Sequence, residues 1–232
     1  MDAVIGLDVG ATRIKAGIVA EGRLLGSEVV PLGPGDGTTE GTIGRMDRIA
    51  RYLAATHGIP WEGVRGIGIG APGVIRHDSG VIVQSPNFPE WKDFPLGRLL
   101  ASRLCRPVRL DNDVNIITLG EARFGAGRGR GDFVCVALGS GVGGGLYLDG
   151  DVFRGADGMA GEIGHMVVEP EGPACNCGGR GCLEQYASRV GLRRSVIRDQ
   201  LFGALTEAAA DDPNLPQRLF EAARAGDDRC AG

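Results

Sequence analysis

The chain has 232 residues, an ordinary apolar share of 43% and a net charge of −4. That length suits one large or two small domains, and the mild acidity leaves no electrostatic case for nucleic acid. No apolar run reaches the roughly 18 residues of a membrane helix, and Met1–Gly6 lacks the basic start and long apolar stretch of a secretory leader, so a cytoplasmic protein without membrane contact is expected.

Ala3–Leu7, Lys15–Val19 and Leu24–Val30 read as three strands of an antiparallel meander, with a turn at Ala20–Arg23. Ile43, Met46, Ile49 and Leu53 carry the spacing of an amphipathic helix over Thr42–Thr56, ended by Gly58 and Pro60. Val64–Ile69 reads as a strand, Leu96–Leu104 as a helix, Val108–Leu110 as a strand and Val114–Phe124 as a helix. A hairpin start followed by helical crossovers predicts a mixed sheet covered by helices. The glycine-rich stretch Gly125–Gly131 reads as a hinge. After it the pattern restarts with strands at Phe133–Leu138 and Gly145–Leu148, a strand near Met166–Glu169, a helix from about Leu183 and another at Leu215–Ala225. Two similar halves suggest a cleft enzyme.

Four motifs carry candidate chemistry. Asp8-Val9-Gly10-Ala11-Thr12 lies between two strands. Gly10 allows close backbone approach, Thr12 offers a hydroxyl, and Asp8 could hold Mg²⁺ through water; a plain hairpin with a hydrogen-bonding Asp explains the same residues. Gly139-Ser140-Gly141-Val142-Gly143-Gly144-Gly145 is placed alike in the second half. It satisfies G-x-G-x-x-G, as do Gly68, Gly70 and Gly73, but neither match leads into a helix, so the dinucleotide reading fails. Two strand–glycine turn–strand loops suit a nucleoside triphosphate instead. Asp111-Asn112-Asp113-Val114-Asn115 sits at a strand end and helix start. An Asp there could act as general base; capping explains one such residue, and four polar residues in five exceed that need.

The fourth motif joins Gly161-Glu162-Ile163-Gly164-His165 to Cys175-Asn176-Cys177 and Cys182-Leu183-Glu184. Clustered cysteines in a reducing compartment point to a metal before a disulfide. Three thiolates need a fourth ligand for a closed tetrahedral Zn²⁺ site, and His165 is the nearest of the three histidines. Unliganded structural cysteines are the alternative.

These motifs, in this order and spacing, resemble the ROK sugar kinases, a family that joins repressors, open reading frames and kinases. The likeness runs from residue 3 to about 195, and Cys-x-Cys-Gly-x-x-Gly-Cys-x-Glu after Gly-Glu-x-Gly-His is its most specific part. It implies an α/β fold of the actin-like, hexokinase-like (ribonuclease H-like) kind with two domains, here 1–113 and 114–232. By resemblance Asp113 is the catalytic base. Gly73, Asn112, Asp113, Glu162, His165 and Glu184 line the sugar. Asp8, Gly10 and Thr12 form the first phosphate loop, and Gly139, Ser140, Gly141 and Gly143 the second, with ATP and Mg²⁺ as cofactors. His165, Cys175, Cys177 and Cys182 bind a structural Zn²⁺ that holds the Glu184 loop and the His165 ring.

The implied reaction is ATP-dependent phosphorylation of a hexose at its 6-hydroxyl. Ser85–Trp91 with Arg154-Gly155-Ala156 favours glucose over mannose, fructose, allose, N-acetylglucosamine or N-acetylmannosamine. Family habit implies a homodimer. Asp8 lies seven residues after Met1, which leaves no room for a repressor's DNA-binding domain. Ala11 and Ser140 depart mildly from the common pattern, where many members carry Gly and Thr. Family members run on for several dozen residues past Gly232. An incomplete second domain is therefore expected, with an open sheet edge, poor solubility and weak or absent kinase activity. A sugar-binding remnant is the rival reading.

Overall fold

In the computed structural model, residues 2–33, 38–201, 210, 212, 214–227 and 230 are described. Arg229, Ala231 and Gly232, where the early stop was expected, lie outside the described residues. The chain divides into two compact units, Met1–Phe133 with Leu146–Ala160, and Val134–Gly145 with Gly161–Gly232.

The first unit is built on a five-stranded sheet. β1 (Ala3–Val9), β2 (Arg13–Ala20) and β3 (Arg23–Pro31) form the antiparallel meander, and β4 (Val64–Ala71) and β7 (Val108–Asn112) extend it in the order β3-β2-β1-β4-β7. β1, β4 and β7 are mutually parallel. Alternation decides the register. Ala3, Ile5, Leu7 and Val9 of β1 and Ile14, Ala16, Ile18 and Ala20 of β2 all point into the core, so a one-residue slip would turn every one of them outward. α1 (Thr39–Thr56) lays Ile43, Met46, Ile49 and Leu53 into that core, and Thr38 caps it by accepting from the Gly41 amide at 3.0 Å. Each such side chain contributes about 1.5–3 kcal/mol by leaving water. α2 (Leu96–Leu104) spans the residues expected, and its Leu96, Leu100 and Leu104 are buried. A short hairpin of β5 (Val74–Arg76) and β6 (Val81–Gln84) follows β4 where the second G-x-G-x-x-G match would have needed a helix.

Trp91 is fully buried between Phe88 and Phe94, with ring centroids 4.0 and 5.6 Å away, and donates from Nε1 to Thr39 Oγ1 at 3.1 Å. The aromatic residues of the stretch that suggested glucose therefore act as core, tying the Ser85–Trp91 loop to the start of α1.

α3 (Asp113–Phe124) packs with the first unit. β8 (Phe133–Leu138) covers the expected span, whereas β9 (Val142–Leu148) begins three residues before its expected start and pairs with an unforeseen β10 (Asp151–Phe153). The sheet order is β10-β9-β8, and β8 exposes Val134, Val136 and Leu138, an open apolar stripe on an outer strand.

Two expectations in the second unit need correction. Met166–Glu169 is no strand. Its Val167 makes one isolated bridge to Cys182, and Met166, Val167 and Val168 are each about half exposed. Without a neighbouring ladder, a β-prone run has nothing to pair with. The helix from Leu183 is two pieces, α4 (Glu184–Ala187) and α5 (Arg189–Asp199), because Ser188 takes extended backbone and its hydroxyl caps α5 through the Gly191 amide at 3.2 Å. Leu215 and Leu219 of α6 (Leu215–Arg224) are buried with Val196 of α5 and Leu201 in a small separate core.

Candidate functional site

In the first unit the candidate residues gather at the carboxyl ends of β1, β4 and β7, where Asp8 lies opposite Gly70 and Ala71 opposite Asn112. Strand ends of a parallel sheet leave backbone and side chains facing solvent beyond the hydrogen-bonded ladder, which is where such folds collect ligands.

The β1–β2 turn is closed by the Gly10 amide donating to Arg13 O at 3.0 Å, and Ala11 and Thr12 are exposed. Asp8 pairs with Lys15 Nζ across the hairpin at 3.0 Å, both about half exposed. An ion pair so exposed adds little stability.

Asp111 through Asn115 divide the work in a way the motif alone did not disclose. Asp111 is 6% exposed and serves as a structural hub. Its Oδ1 accepts from the Asn112 amide at 2.8 Å and Asn115 Nδ2 at 3.1 Å, and its Oδ2 takes the Arg154 guanidinium at 2.7–2.8 Å and faces His77 Nδ1 at 3.4 Å. A buried carboxylate needs that many donors. Asn112 Oδ1 caps α3 through the Val114 and Asn115 amides, and its Nδ2 donates to Gly73 O at 3.2 Å. The apparent excess of polar residues is thus mostly structural.

Asp113 is the remainder. Among the described residues its one hydrogen-bond partner is the Val114 amide, 2.9 Å from Oδ1. Burial holds its carboxyl above the usual range; that amide opposes the shift, and the nearby Asp8 charge adds to it. A carboxylate poised this way is a better proton acceptor than an ordinary surface one.

Gly73 is required by geometry. Its φ is +113°, and a Cβ there would sit 2.2 Å from Gln84 O. Gly73→Ala is expected to cost at least about 2 kcal/mol, read as a lowered urea midpoint; an unchanged midpoint would mean the turn tolerates a side chain and is not rigid.

In the second unit the loop Gly139–Gly145 is fixed from several sides. The Gly139 amide donates to Gly141 O at 3.0 Å, and the Arg189 amide at the start of α5 donates to Gly139 O at 2.9 Å. Ser140 is exposed. A Cβ on Gly141 would meet Glu184 Oε2 at 2.6 Å, and one on Gly144 would meet Gly161 O at 2.4 Å. Some of these glycines therefore make room for Glu184 and the Gly161–His165 segment, a packing reason that the ligand-loop reading overlooked.

Glu162 and His165 flank a short 3₁₀ turn at Ile163–His165. The His165 ring divides its nitrogens. Nδ1 faces Cys175 Sγ at 3.6 Å and Glu184 Oε1 at 3.9 Å, while Nε2 faces Glu162 Oε2 at 3.8 Å. One nitrogen can thus serve a metal while the other stays available to a hydroxyl. Cys175 Sγ lies 3.4 Å from Glu184 Oε1, and Cys177 Sγ lies 3.7 Å from Cys182 Sγ.

All six cysteines are free. The ligand atoms of His165, Cys175, Cys177 and Cys182 lie within 4.8 Å of one another. The chain wraps them through the Ala174–Arg180 bridge, the Cys175 amide donating to Gly179 O at 2.9 Å, and Gly178 and Gly181 at φ of +93° and +64°. Burial and the neighbouring thiols push Cys182 up to about 12, burial also raises Cys175, and the Gly179 amide lowers Cys177. Thiols crowded with one imidazole, mostly protonated without a metal, fit a soft divalent ion such as Zn²⁺.

The chain is similar to proteins already known. A glucokinase of Thermotoga maritima is 39% identical over 97% of this chain and 70% of its own length. A glucokinase of Halalkalibacterium halodurans is 43% identical over 82% of this chain and 58% of its own length. The chain thus spans 58% to 70% of the length of these relatives. The crystal structure of a ROK family glucokinase from Streptomyces griseus in complex with glucose and AMPPNP superposes with a TM-score of 0.76, at 36% identity, over 98% of this chain and 73% of that one. The mixed α/β architecture matches the hexokinase-like ROK structures. The ROK family profile matches residues 4–231, and with that span the strand-end carboxylate, the paired glycine loops and the Cys/His cluster find a common explanation: the chain belongs to the ROK family.

Proposed function

We propose that the chain is a sugar kinase that transfers the γ-phosphoryl group of ATP to the primary 6-hydroxyl of a hexose, with glucose as its substrate. The observation that carries this is Asp113, a carboxylate held above its usual range at the start of α3 while the neighbouring Asp111 is committed to structure. Membership of the family and the glucose-bound relative support the substrate class.

In this reading Asp113 accepts the proton of the 6-hydroxyl as that oxygen bonds to the γ-phosphorus and the bond to the ADP oxygen breaks. Asn112, Glu162, His165 Nε2, Glu184 and the Gly73 backbone hydrogen-bond the remaining sugar hydroxyls. Gly10 and Thr12 of the first unit, and Gly139, Ser140, Gly141 and Gly143 of the second, are the groups assigned to the phosphates, through amides and hydroxyls. Asp8 would hold a Mg²⁺ ion, which when bound would neutralise phosphate charge. His165 Nδ1, Cys175, Cys177 and Cys182 would hold a structural Zn²⁺. That ion would fix the ring orientation of His165 and the start of α4, where Glu184 sits. Arg154, which the glucose-like sequence pattern singled out, binds Asp111 through its guanidinium.

The test is a coupled assay with ATP and a panel of glucose, mannose, fructose, allose, N-acetylglucosamine and N-acetylmannosamine. Glucose is expected to show the highest kcat/KM. Preference for an N-acetylated sugar would overturn the glucose assignment; binding of sugar without any turnover would favour the sugar-binding remnant. No helix among the described residues is long and apolar enough to cross a membrane.

A further inference from the structure

A cavity of about 180 Å³ lies in the first unit against the early residues of β7, the outer strand of the five-stranded sheet. The β5–β6 turn, the start of α2 and β7 itself wall it. Two of its lining side chains are Arg98 and Arg109, and among the described residues neither guanidinium has an ion pair or hydrogen-bond partner. Two like charges at one concavity repel each other, and planar guanidiniums are the groups best suited to grip a phosphate.

One wall is bare backbone. Gly80, at φ +65°, meets Gly97 so closely that a Cβ on Gly97 would sit 3.1 Å from Gly80 Cα. The Gly97 amide donates to Gly80 O at 3.0 Å. Ala101 is the small residue one helical turn further on, so no bulky side chain comes from this face of α2. The cavity amounts to about six water volumes, more than a phosphate ion fills. On the same lining, Ser79 offers a hydroxyl and Asp78 a carboxylate, whose Oδ1 already accepts from the Ser79 amide at 2.8 Å. Cations together with hydroxyl-binding acceptors match a molecule that is part phosphate and part polyol.

His77 completes the lining. Its Nδ1 is 3.1 Å from Leu110 O and 3.4 Å from Asp111 Oδ2, so one ring nitrogen is engaged with the hub beside Asn112 and Asp113. A ligand in the cavity is thus one side chain away from the network that seats the start of α3.

We propose that this cavity is a second ligand site, separate from the strand-end site, which takes a small sugar phosphate: the phosphate between Arg98 and Arg109, the hydroxyls toward Ser79 and Asp78. The chain's three histidines allow a located test. Imidazole NMR signals would be followed while glucose 6-phosphate, inorganic phosphate or glucose is added. Glucose 6-phosphate is expected to shift the His77 signals saturably below about 10 mM, more tightly than inorganic phosphate, with glucose leaving them in place. Arg98→Gln combined with Arg109→Gln, both exposed positions, is expected to weaken that response about tenfold or more. Ala101→Leu, which fills the cavity and keeps both arginines, should weaken it as well. Shifts confined to His165 would assign the sugar phosphate to the residues proposed for the hexose and overturn the proposal. So would an unmoved His77 at about 10 mM, a response that survives the double substitution, or equal affinity for inorganic phosphate.

Discussion

Asp113→Asn should reduce turnover by roughly 10²- to 10⁴-fold while leaving the hexose dissociation constant nearly unchanged, because the amide keeps the shape and the hydrogen-bonding edge of the side chain. The same substitution should raise thermal stability at neutral pH. Asp113 has its carboxyl pushed up by burial, ahead of the opposing Val114 amide and the reinforcing Asp8 charge. A group with a raised folded-state pKa contributes its full stability below the unfolded pKa, and loses it as pH rises through the folded pKa. At neutral pH the native protein therefore carries a partly buried charge that asparagine does not, and the gap in Tm should close in acid. Melting curves at neutral and acid pH, run beside steady-state kinetics, separate the two effects. Near-normal turnover in the variant would remove Asp113 as base. A Tm gap that widened in acid would show that burial is not what shifts it. The pairing of lost activity with gained stability is the usual mark of a group held where it is for chemistry rather than for folding.

Loss of the metal should have the next largest effect. Purified protein is expected to carry one zinc per chain, and Cys175→Ser or Cys182→Ser should abolish it. The segment from Gly161 to Glu184 holds one short 3₁₀ turn and isolated bridges, with little apolar burial beyond Cys175 and Cys182. Structural zinc in small peptides supplies about 10–16 kcal/mol of apparent folding energy, far more than such contacts. Chelation should therefore erase hydrogen-exchange protection at the Cys175, Gly178 and Gly181 amides, which donate within the loop. Sugar affinity should fall with it, because His165 and Glu184 would lose their orientation. The β1–β3 meander should keep its protection, since its core is separate. Metal-free protein with intact protection in the loop would refute the structural role. Because binding displaces thiol protons, zinc retention should weaken as pH falls.

The amino-acid sequence by itself determined whatever depends on near neighbours. The strands of the meander and the helix Leu96–Leu104 were legible because alternation and the helical repeat are written in consecutive side chains. The Cys/His cluster was legible because three of its ligands sit within eight residues and chelate spacing is local. Only the tertiary structure decided which polar residues were already satisfied. Asp111 reads like a candidate base until Arg154 and His77, distant in sequence, are seen to occupy it. That Asn112 caps α3 with Oδ1 and donates from Nδ2 to Gly73 O is likewise visible only in the fold. Gly144 sits in a candidate phosphate loop, and only the fold shows Gly161 O where a side chain would be. Met166–Glu169 has the composition of a strand and lacks a partner, whereas Asp151–Phe153 becomes one because β9 lies beside it. In each case the deciding atom comes from another part of the chain. Hydrogen-bond satisfaction and strand pairing are properties of two segments together, and neither segment records the other.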